Sequence, residues 1–449
     1  CRITPATRKK PTTTSRAWIK TSSMVFLLAT ASIPAALAAP VEVDPAQVEK
    51  RFETAPDPTP AAPVLTAPAD SRPSARNAAV STKRFVLKRV NVSGNTLFSN
   101  EELQATYTDM IGKSITLQEA QNIERNITNK YRNAGYMLSK ATMNMQNAND
   151  GSVTIRITEG YINNVILKGD TEQNVNYKVI DSYTDSIKGR RNITTAEVER
   201  QLLLIDDLAG TTARGRFQPS SAAPGAVDFV VDMSMKPVDA SYTIDNRGSK
   251  FIGPLQHNAT VTLNSPLGMY ERTTLRFITA TPMKELRFVD VAEEIPVGNQ
   301  GTKVALIGAL SKVEPGDSLS PSQIESDSNF LQARVTHPFI RSRQETLNGN
   351  IRIDSRNTKI ESAGALTSHD RLRVLRAGGT YDFVDDYSGG NIIDVTLSQG
   401  FDILNATDSG AFRSRTDGEA DFTKINADYY RTQNLPYNFV LFAGIAGQY

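Results

Sequence analysis

Four residues of this chain, Gly316-Asp-Ser-Leu319, have the types and order of a lipase nucleophile block, in which the serine attacks an ester carbonyl. Such a serine is a weak nucleophile until a histidine base activates it, and in this arrangement an aspartate precedes that histidine by three residues. Neither His337 nor His369 has an aspartate at that position. The block also lies in a predicted loop, beside Pro315 and Pro321. The sequence therefore predicts no lipase activity.

Other arrangements that support catalysis or cofactor binding are missing from the sequence. It contains no Gly-x-Ser-x-Gly block and no P-loop, and its three histidines are too scattered to form a ligand set. We therefore expect no enzyme activity, no cofactor, no metal and no small-molecule substrate.

The first residues have the organisation of a signal peptide. Six Lys and Arg residues precede an apolar run, Met24–Leu37. This run is too short to span a bilayer as a helix, which argues against a membrane anchor. The run ends in Ala36-Leu37-Ala38, a small-x-small cleavage pattern, so we assign residues 1–38 to a leader. Its removal takes away Cys1 and six basic residues and leaves 44 basic against 48 acidic ones. A mildly acidic, exported chain of this kind gives no case for nucleic-acid binding.

Residues 39–82 are rich in Pro and Ala and are predicted to connect the leader to the folded part of the chain. Asp44–Phe52 can form a short helix, because Asp44 can cap it and Pro45 suits its first position. Six prolines between Ala55 and Arg76 favour an extended spacer. This segment is either a disordered tail or a leash carrying a mobile helix that docks elsewhere.

Between Phe85 and Met235 the sequence follows one plan twice: strand, helix, helix, strand, strand. Three capping boxes, each a Ser or Thr followed three residues later by Glu, mark helix starts at Ser99, Thr116 and Thr194. The predicted strands are 85–92, 136–145, 152–158, 162–167, 214–218 and 227–235. The predicted first helix of the second repeat is 179–187.

We divide this region into two α+β modules, residues 83–160 and 161–238. Each is expected to be a three-stranded sheet with two helices on one face. An edge strand of such a sheet offers unpaired backbone groups to an extended peptide. The alternative is that the modules are only spacers.

From residue 239 to residue 449 helical periodicity gives way to strand-like alternation. Ile351 and Ile353, for example, alternate with Arg352 and Asp354. Apolar residues outside and polar residues inside indicate an antiparallel barrel in a membrane, whereas a soluble sandwich would bury its apolar faces together. Three features favour the membrane barrel: the leader, the scarcity of cysteine, and long polar loops predicted at about 313–326, 357–369 and 404–418.

We count about eleven strands from Ser241 to Tyr449. Single-chain bacterial barrels have an even number of strands, and an open edge is not stable in lipid. We therefore expect further strands beyond Tyr449.

Several runs resemble one family. Three runs are similar to the first POTRA domain of two-partner-secretion outer-membrane transporters, the TpsB proteins. They are Val90-Asn-Val-Ser-Gly-Asn-Thr-Leu-Phe98, Asn129-Lys-Tyr-Arg-Asn-Ala-Gly-Tyr136 and Ile155-Arg-Ile-Thr-Glu-Gly-Tyr161. The run Glu199–Gly210 resembles their second POTRA domain, and Asp245–Ser249 resembles the start of their barrel.

The resemblance implies a sixteen-stranded barrel in the outer membrane of a Gram-negative bacterium, two periplasmic POTRA domains and a plug helix, here Asp44–Phe52. It implies a secreted exoprotein partner of the haemolysin or adhesin type. The family's Val-Arg-Gly-Tyr/Phe motif does not occur in this sequence and would follow the eleventh strand.

If the modules receive a polypeptide, we expect apolar residues between helix and sheet to contact it. The candidates are Ile123, Ile127, Tyr131, Tyr136 and Leu138 in the first module, and Leu202 and Ile205 in the second. The alternative for each is ordinary core packing. Rival functions are an assembly factor that inserts other barrels, which usually has more POTRA domains, and a passive porin, which needs none.

Overall fold

The computed structural model describes residues 84–144, 150–169, 177–407 and 410–449 apart from 411 and 416. Before residue 84 it describes only two dipeptide strands, Val25–Phe26 and Leu65–Thr66. The predicted leader, apart from its dipeptide, and the predicted plug helix lie outside the described residues.

The described residues of the first module form five strands and two α-helices. Its elements are β1 (Arg84–Val86), β2 (Arg89–Ser93), α1 (Asn100–Gln104), β3 (Ser114–Thr116), α2 (Leu117–Asn133), β4 (Lys140–Asn144) and β5 (Ser152–Thr158). The main sheet has the order β2-β5-β4, with β2 parallel and β4 antiparallel to β5. Strand β4 is therefore an edge.

The predicted strand 85–92 is divided in two, because the chain changes partners in its middle. β1 pairs with β3, whereas β2 pairs with β5. At the change, Leu87 N donates to Lys113 O and Lys88 N donates to Gly151 O, at 3.0 and 2.8 Å. Buried Leu87 joins the core of the module at this point.

The predicted strand 136–145 begins four residues too early. Residues 136–139 instead form the turn that follows α2. Tyr136 N donates to Tyr131 O at 2.9 Å, and Ser139 N donates to Tyr136 O at 3.1 Å. Gly135, with φ of 90°, allows this helix-ending turn.

The second module repeats the plan with longer strands. Its elements are β6 (Tyr161–Gly169), α3 (Tyr177–Thr184), α4 (Thr195–Asp206), β7 (Thr211–Pro219) and β8 (Ala226–Met235). The three long strands have the order β6-β8-β7, and the dipeptide strand Leu65–Thr66 pairs with the outer side of β7. The predicted plan of three strands and two helices is confirmed for both modules, and the second sheet has Leu65–Thr66 as a fourth, two-residue strand.

All three predicted capping boxes are present in the structure. Ser99, Thr116 and Thr194 each accept a hydrogen bond from the backbone of the Glu three residues later, and each Glu bonds back to the cap. These bonds satisfy donors that a helix start leaves without intrahelical partners.

Eleven antiparallel strands follow, each paired with the next. They are β9 (Val238–Asp245), β10 (Leu255–Asn264), β11 (Arg272–Thr281), β12 (Arg287–Val297), β13 (Thr302–Val313), β14 (Ile324–Arg341), β15 (Glu345–Ser362), β16 (Ala365–Val384), β17 (Gly390–Gly400), β18 (Thr423–Leu435) and β19 (Phe439–Gln448). Ile351 and Ile353 are 58% and 62% exposed, whereas Asp354 is 4% exposed. The predicted alternation thus separates an apolar outer face from a polar inner face.

The predicted loop at 357–369 is wrong. Strands β15 and β16 continue through it, and the turn between them is only Ala363-Gly364, both with positive φ. A membrane needs only about 9 to 11 residues of each strand. Where a strand extends beyond the membrane, its outward residues need not be apolar. Asn357 and Lys359 therefore resemble loop residues in the sequence, although β15 still pairs with both neighbouring strands there.

Replacing Thr116 by Ala is expected to destabilise α2 by about 1 kcal/mol, because the Glu119 amide loses its acceptor. Hydrogen exchange over residues 117–133 measures this as faster exchange. Replacing Thr142, an exposed strand residue, by Ala is the control. Equal exchange rates in the two variants would contradict the capping role.

Candidate functional site

The edge strand of the first module is closed by side chains of its own helix. Ala141 N donates to Thr128 Oγ1 at 3.1 Å, and Met143 N donates to Glu124 Oε2 at 3.2 Å. Both acceptors lie on α2, and both residues are buried. Because strand N–H groups point alternately to the two sides, these two amides are the ones that point away from β5. An incoming strand would have to displace the Thr128 and Glu124 side chains from these amides.

The second module closes only the start of the equivalent edge. Ala213 N donates to Asp206 Oδ1 at 2.7 Å, as in the first module. Strand β7 then continues to Pro219, so the amides of Gly215 and Phe217 point to the same open side as that of Ala213. A Cβ at position 215 would lie 2.8 Å from a Leu202 methyl group and from the Phe229 ring, so a larger residue would force these core side chains to move.

A strand already lies on this edge. Leu65–Thr66 pairs in parallel with β7, opposite Gly215 and Arg216. The described part of β4, in contrast, pairs only with β5. The two modules share a fold, but the second offers the longer edge for strand addition.

Five of the seven predicted contact residues lie in module cores. Ile123, Ile127, Leu202 and Ile205 are 0% exposed, and Tyr131 is 1% exposed. They pack in two separate clusters, one in each module.

The Tyr131 ring also links α2 to a turn. Its hydroxyl donates to Glu159 Oε1 at 2.9 Å, and the same oxygen accepts from Thr96 N and Leu97 N at 2.7 and 3.0 Å. Burial, together with the adjacent Glu159, raises the pKa of Tyr131. The hydroxyl is therefore a neutral donor in this network.

Tyr136 and Leu138 are partly buried and lie at different places. Tyr136 packs against the first core, whereas Leu138 packs against the second. Beside them Thr195 N and Thr195 Oγ1 both donate to Gly135 O at 2.8 Å. Leu138, predicted to lie at the groove of the first module, is thus part of the contact between the modules.

Charged groups bind the second module to the end of the strand sheet at which β13 begins and β14 ends. Arg341, whose side chain is 6% exposed, donates from Nε and Nη2 to the two carboxylate oxygens of Asp207, at 2.7 and 2.8 Å. Lys303 Nζ donates to Asp207 O at 3.0 Å, and Arg200 Nη2 donates to Pro338 O at 2.9 Å. We call this set the junction cluster.

Sequence reasoning missed both the edge caps and the junction cluster. Glu124 and Thr128 are polar residues four apart within the apolar stripe of α2, and that position was an available signal for buried hydrogen bonds. Asp207 and Arg341 lie 134 residues apart, and nothing local in the sequence relates them.

Two repeated α+β modules followed by strands with an apolar outer face define a class: outer-membrane proteins that carry α+β modules in the periplasm. Comparison with known proteins narrows the class. Residues 85–160 match the family model of the ShlB-type POTRA domain, and residues 227–449 match that of the haemolysin secretion/activation protein ShlB/FhaC/HecB. The chain belongs to this family of two-partner-secretion transporters, and its place is the outer membrane, with the modules in the periplasm.

Relatives and solved structures agree with this assignment. The heme/hemopexin transporter protein HuxB of Haemophilus influenzae (strain 86-028NP) is 21% identical over 375 residues, which are 82% of this chain and 65% of the relative. The outer membrane transporter CdiB of Escherichia coli O6:K15:H31 (strain 536 / UPEC) is 22% identical over 43% of this chain and 32% of its own length. The chain thus spans less than two thirds of the length of these relatives.

The structure of CdiB from Escherichia coli superposes with a TM-score of 0.63, at 17% identity, over 85% of this chain and 71% of that one. CdiB from Acinetobacter baumannii gives 0.52, at 13% identity, over 90% and 74%. These likenesses show the shared fold, in which the strands form a barrel wall. No helix among the described residues is long and apolar enough to cross a membrane. Nor do those residues place three or more His, Cys, Asp or Glu side chains where they could hold a metal ion.

Replacing Asp206 by Asn is expected to stabilise the second module at pH 7. Burial raises the pKa of Asp206, against the lowering effects of the Ala213 amide and Arg341, and Asp207 adds to the rise. A carboxyl whose pKa is higher in the folded state opposes folding once the pH rises above its unfolded-state pKa. Asn keeps the acceptor oxygen without the charge, so its advantage should disappear as the pH falls to about 4.

Urea unfolding of the purified protein at several pH values measures this difference. Asp185→Asn, an exposed change in the same module, is the control. A lower stability of the Asp206→Asn variant at pH 7, or an advantage that does not depend on pH, would contradict the assignment.

Replacing Arg341 by Gln is expected to loosen the second module from the barrel by on the order of 2 kcal/mol, because two charge-assisted hydrogen bonds are lost. Spin labels at Lys188→Cys and Asp386→Cys can report the distance between the module and the periplasmic end of the strands. The distance distribution should broaden in Arg341→Gln. It should not change in Arg287→Gln, which breaks an ion pair with Glu314 far from the junction cluster. Identical distributions in all three proteins would show that the junction cluster does not hold the module.

Proposed function

We propose that this protein exports one dedicated large polypeptide, of the haemolysin, haemagglutinin or adhesin type, from the periplasm to the cell surface. Membership of the haemolysin secretion/activation family supports a secretion role. The relatives named above are themselves called transporters. The partner is a secreted exoprotein, and the protein acts on it without covalent chemistry.

The observation that carries the proposal is the long edge of β7. A strand that replaced Leu65–Thr66 there would gain backbone hydrogen bonds from Gly215 and Phe217 whatever its sequence, as a receptor for an unfolded chain requires. That Leu65–Thr66 pairs with Gly215 and Arg216 supports the capacity of this edge to accept a strand. In the first module Glu124 and Thr128 already occupy the equivalent donors.

The predicted contact residues take two roles in this proposal. Ile123, Ile127 and Tyr131 hold α2 against its sheet, and Leu202 and Ile205 do the same for α4. Tyr136 and Leu138 are only partly buried, so they can contact the partner where the two modules meet. The outer membrane has neither ATP nor a proton gradient, so folding of the partner outside the cell gives the transport its direction.

Photocrosslinking in secreting cells tests where the partner binds. A photoreactive amino acid at Arg214, an exposed position on β7, is expected to crosslink to the partner during export. The matched control is the same amino acid at Thr142, an exposed position on the closed edge β4. We expect a several-fold stronger crosslink at Arg214.

Equal crosslinks at the two positions, or none at either, would count against the edge of β7 as the receptor. The rival functions give different outcomes in a deletion strain. A general loss of outer-membrane barrels would indicate an assembly factor. Normal export of the partner without this protein would leave only the passive porin.

A further inference from the structure

A row of basic side chains crosses the inner face of the barrel wall. Arg334 on β14 lies directly opposite Arg352 on β15, and Arg352 lies directly opposite Arg376 on β16. The row continues through Ser398 on β17 to Lys424 on β18. These residues alternate with outward neighbours such as Ile351 and Ile353, so they are on the lumen side. We call the four basic residues Arg334, Arg352, Arg376 and Lys424 the basic row.

Like charges directly opposite one another destabilise a sheet, so the basic row needs compensation. Arg334 Nη2 lies 3.6 Å from Glu294 Oε2, and Arg376 forms an ion pair with Asp354. Arg352, between them, has no ion-pair or hydrogen-bond partner among the described residues. The Nε atoms of Arg334 and Arg352 are both buried without an acceptor. Two adjacent guanidinium groups therefore have unused donors on the lumen side.

The dimensions of the basic row indicate the size of its ligand. Five neighbouring strands place its ends about 19 Å apart at a strand spacing of about 4.8 Å. A single small anion contacts one or two of these groups, whereas a polypeptide segment with several carboxylates can contact all of them. Carboxylates also match the two-pronged donor geometry of a guanidinium group.

We propose that the basic row binds the carboxylates of acidic segments of the polypeptide in transit. This inference rests on the proposed function and adds a chemical preference to it. The basic row runs around the wall, across the direction of transport, so each passing segment meets it. Arg352 contributes most, because no described carboxylate competes for it.

Blocking of ion current tests the proposal with the full-length protein in a planar lipid bilayer. The probes are a 20-residue oligoglutamate and an oligoglutamine of the same length, added on the periplasmic side. We expect oligoglutamate to block the current and oligoglutamine not to block it. Arg352→Gln should raise the half-blocking concentration of oligoglutamate about tenfold. Lys359→Gln removes a positive charge from the outward face of the same strand and should leave it unchanged.

Equal block by the two peptides, or equal block of the Arg352→Gln and Lys359→Gln variants, would overturn the proposal. A chloride preference that falls in Arg352→Gln without any block by oligoglutamate would show a site for small anions only, and would also overturn it. Heat-modifiable gel mobility confirms that each variant barrel is folded.

Export of the partner from cells separates this proposal from the proposed function. If the protein exports its partner but oligoglutamate does not block the current, only the basic row is refuted. If no partner is exported, the proposed function itself fails.

Discussion

The structure depends on one requirement, that each backbone N–H and C=O group has a hydrogen-bond partner. In the hydrocarbon of a membrane no water can supply it, so β9 to β19 satisfy one another in an unbroken antiparallel ladder. In the periplasm water can replace a missing strand, and an edge can remain open. There Thr128, Glu124 and Asp206 decide which edge amides are occupied. The same requirement thus produces a continuous ladder of strands in one half and partly occupied sheet edges in the other.

Features set by local chemistry could be predicted from the sequence. The capping boxes at Ser99, Thr116 and Thr194 involve residues three apart, and local geometry is enough to form them. The alternation around Ile351 and Ile353 is also local, since successive residues of a strand face opposite sides. These two patterns gave the α+β modules and the strand-built wall.

Features set by distant residues could not be predicted in the same way. The strand at 85–92 is divided because Leu87 meets Lys113 and Lys88 meets Gly151, which the order of the residues does not reveal. The continuation of β15 past Asn357 is set by its pairing with β14 and β16, although its outward residues have become polar. For the candidate site, the apolar stripe of α2 identified the core of the first module, but the polar residues Glu124 and Thr128 within that stripe close its edge strand.

The junction cluster explains how the edge of β7 and the wall stay in register. Asp206 caps the start of β7, and its neighbour Asp207 binds Arg341 at the periplasmic end of β14. Adjacent residues of one helix end therefore hold the edge of β7 and the barrel at the same time. Because the Arg341 side chain is buried there, loss of Asp207 would leave a buried charge without its partner, which is costly. The second module is thus positioned over the wall by polar bonds.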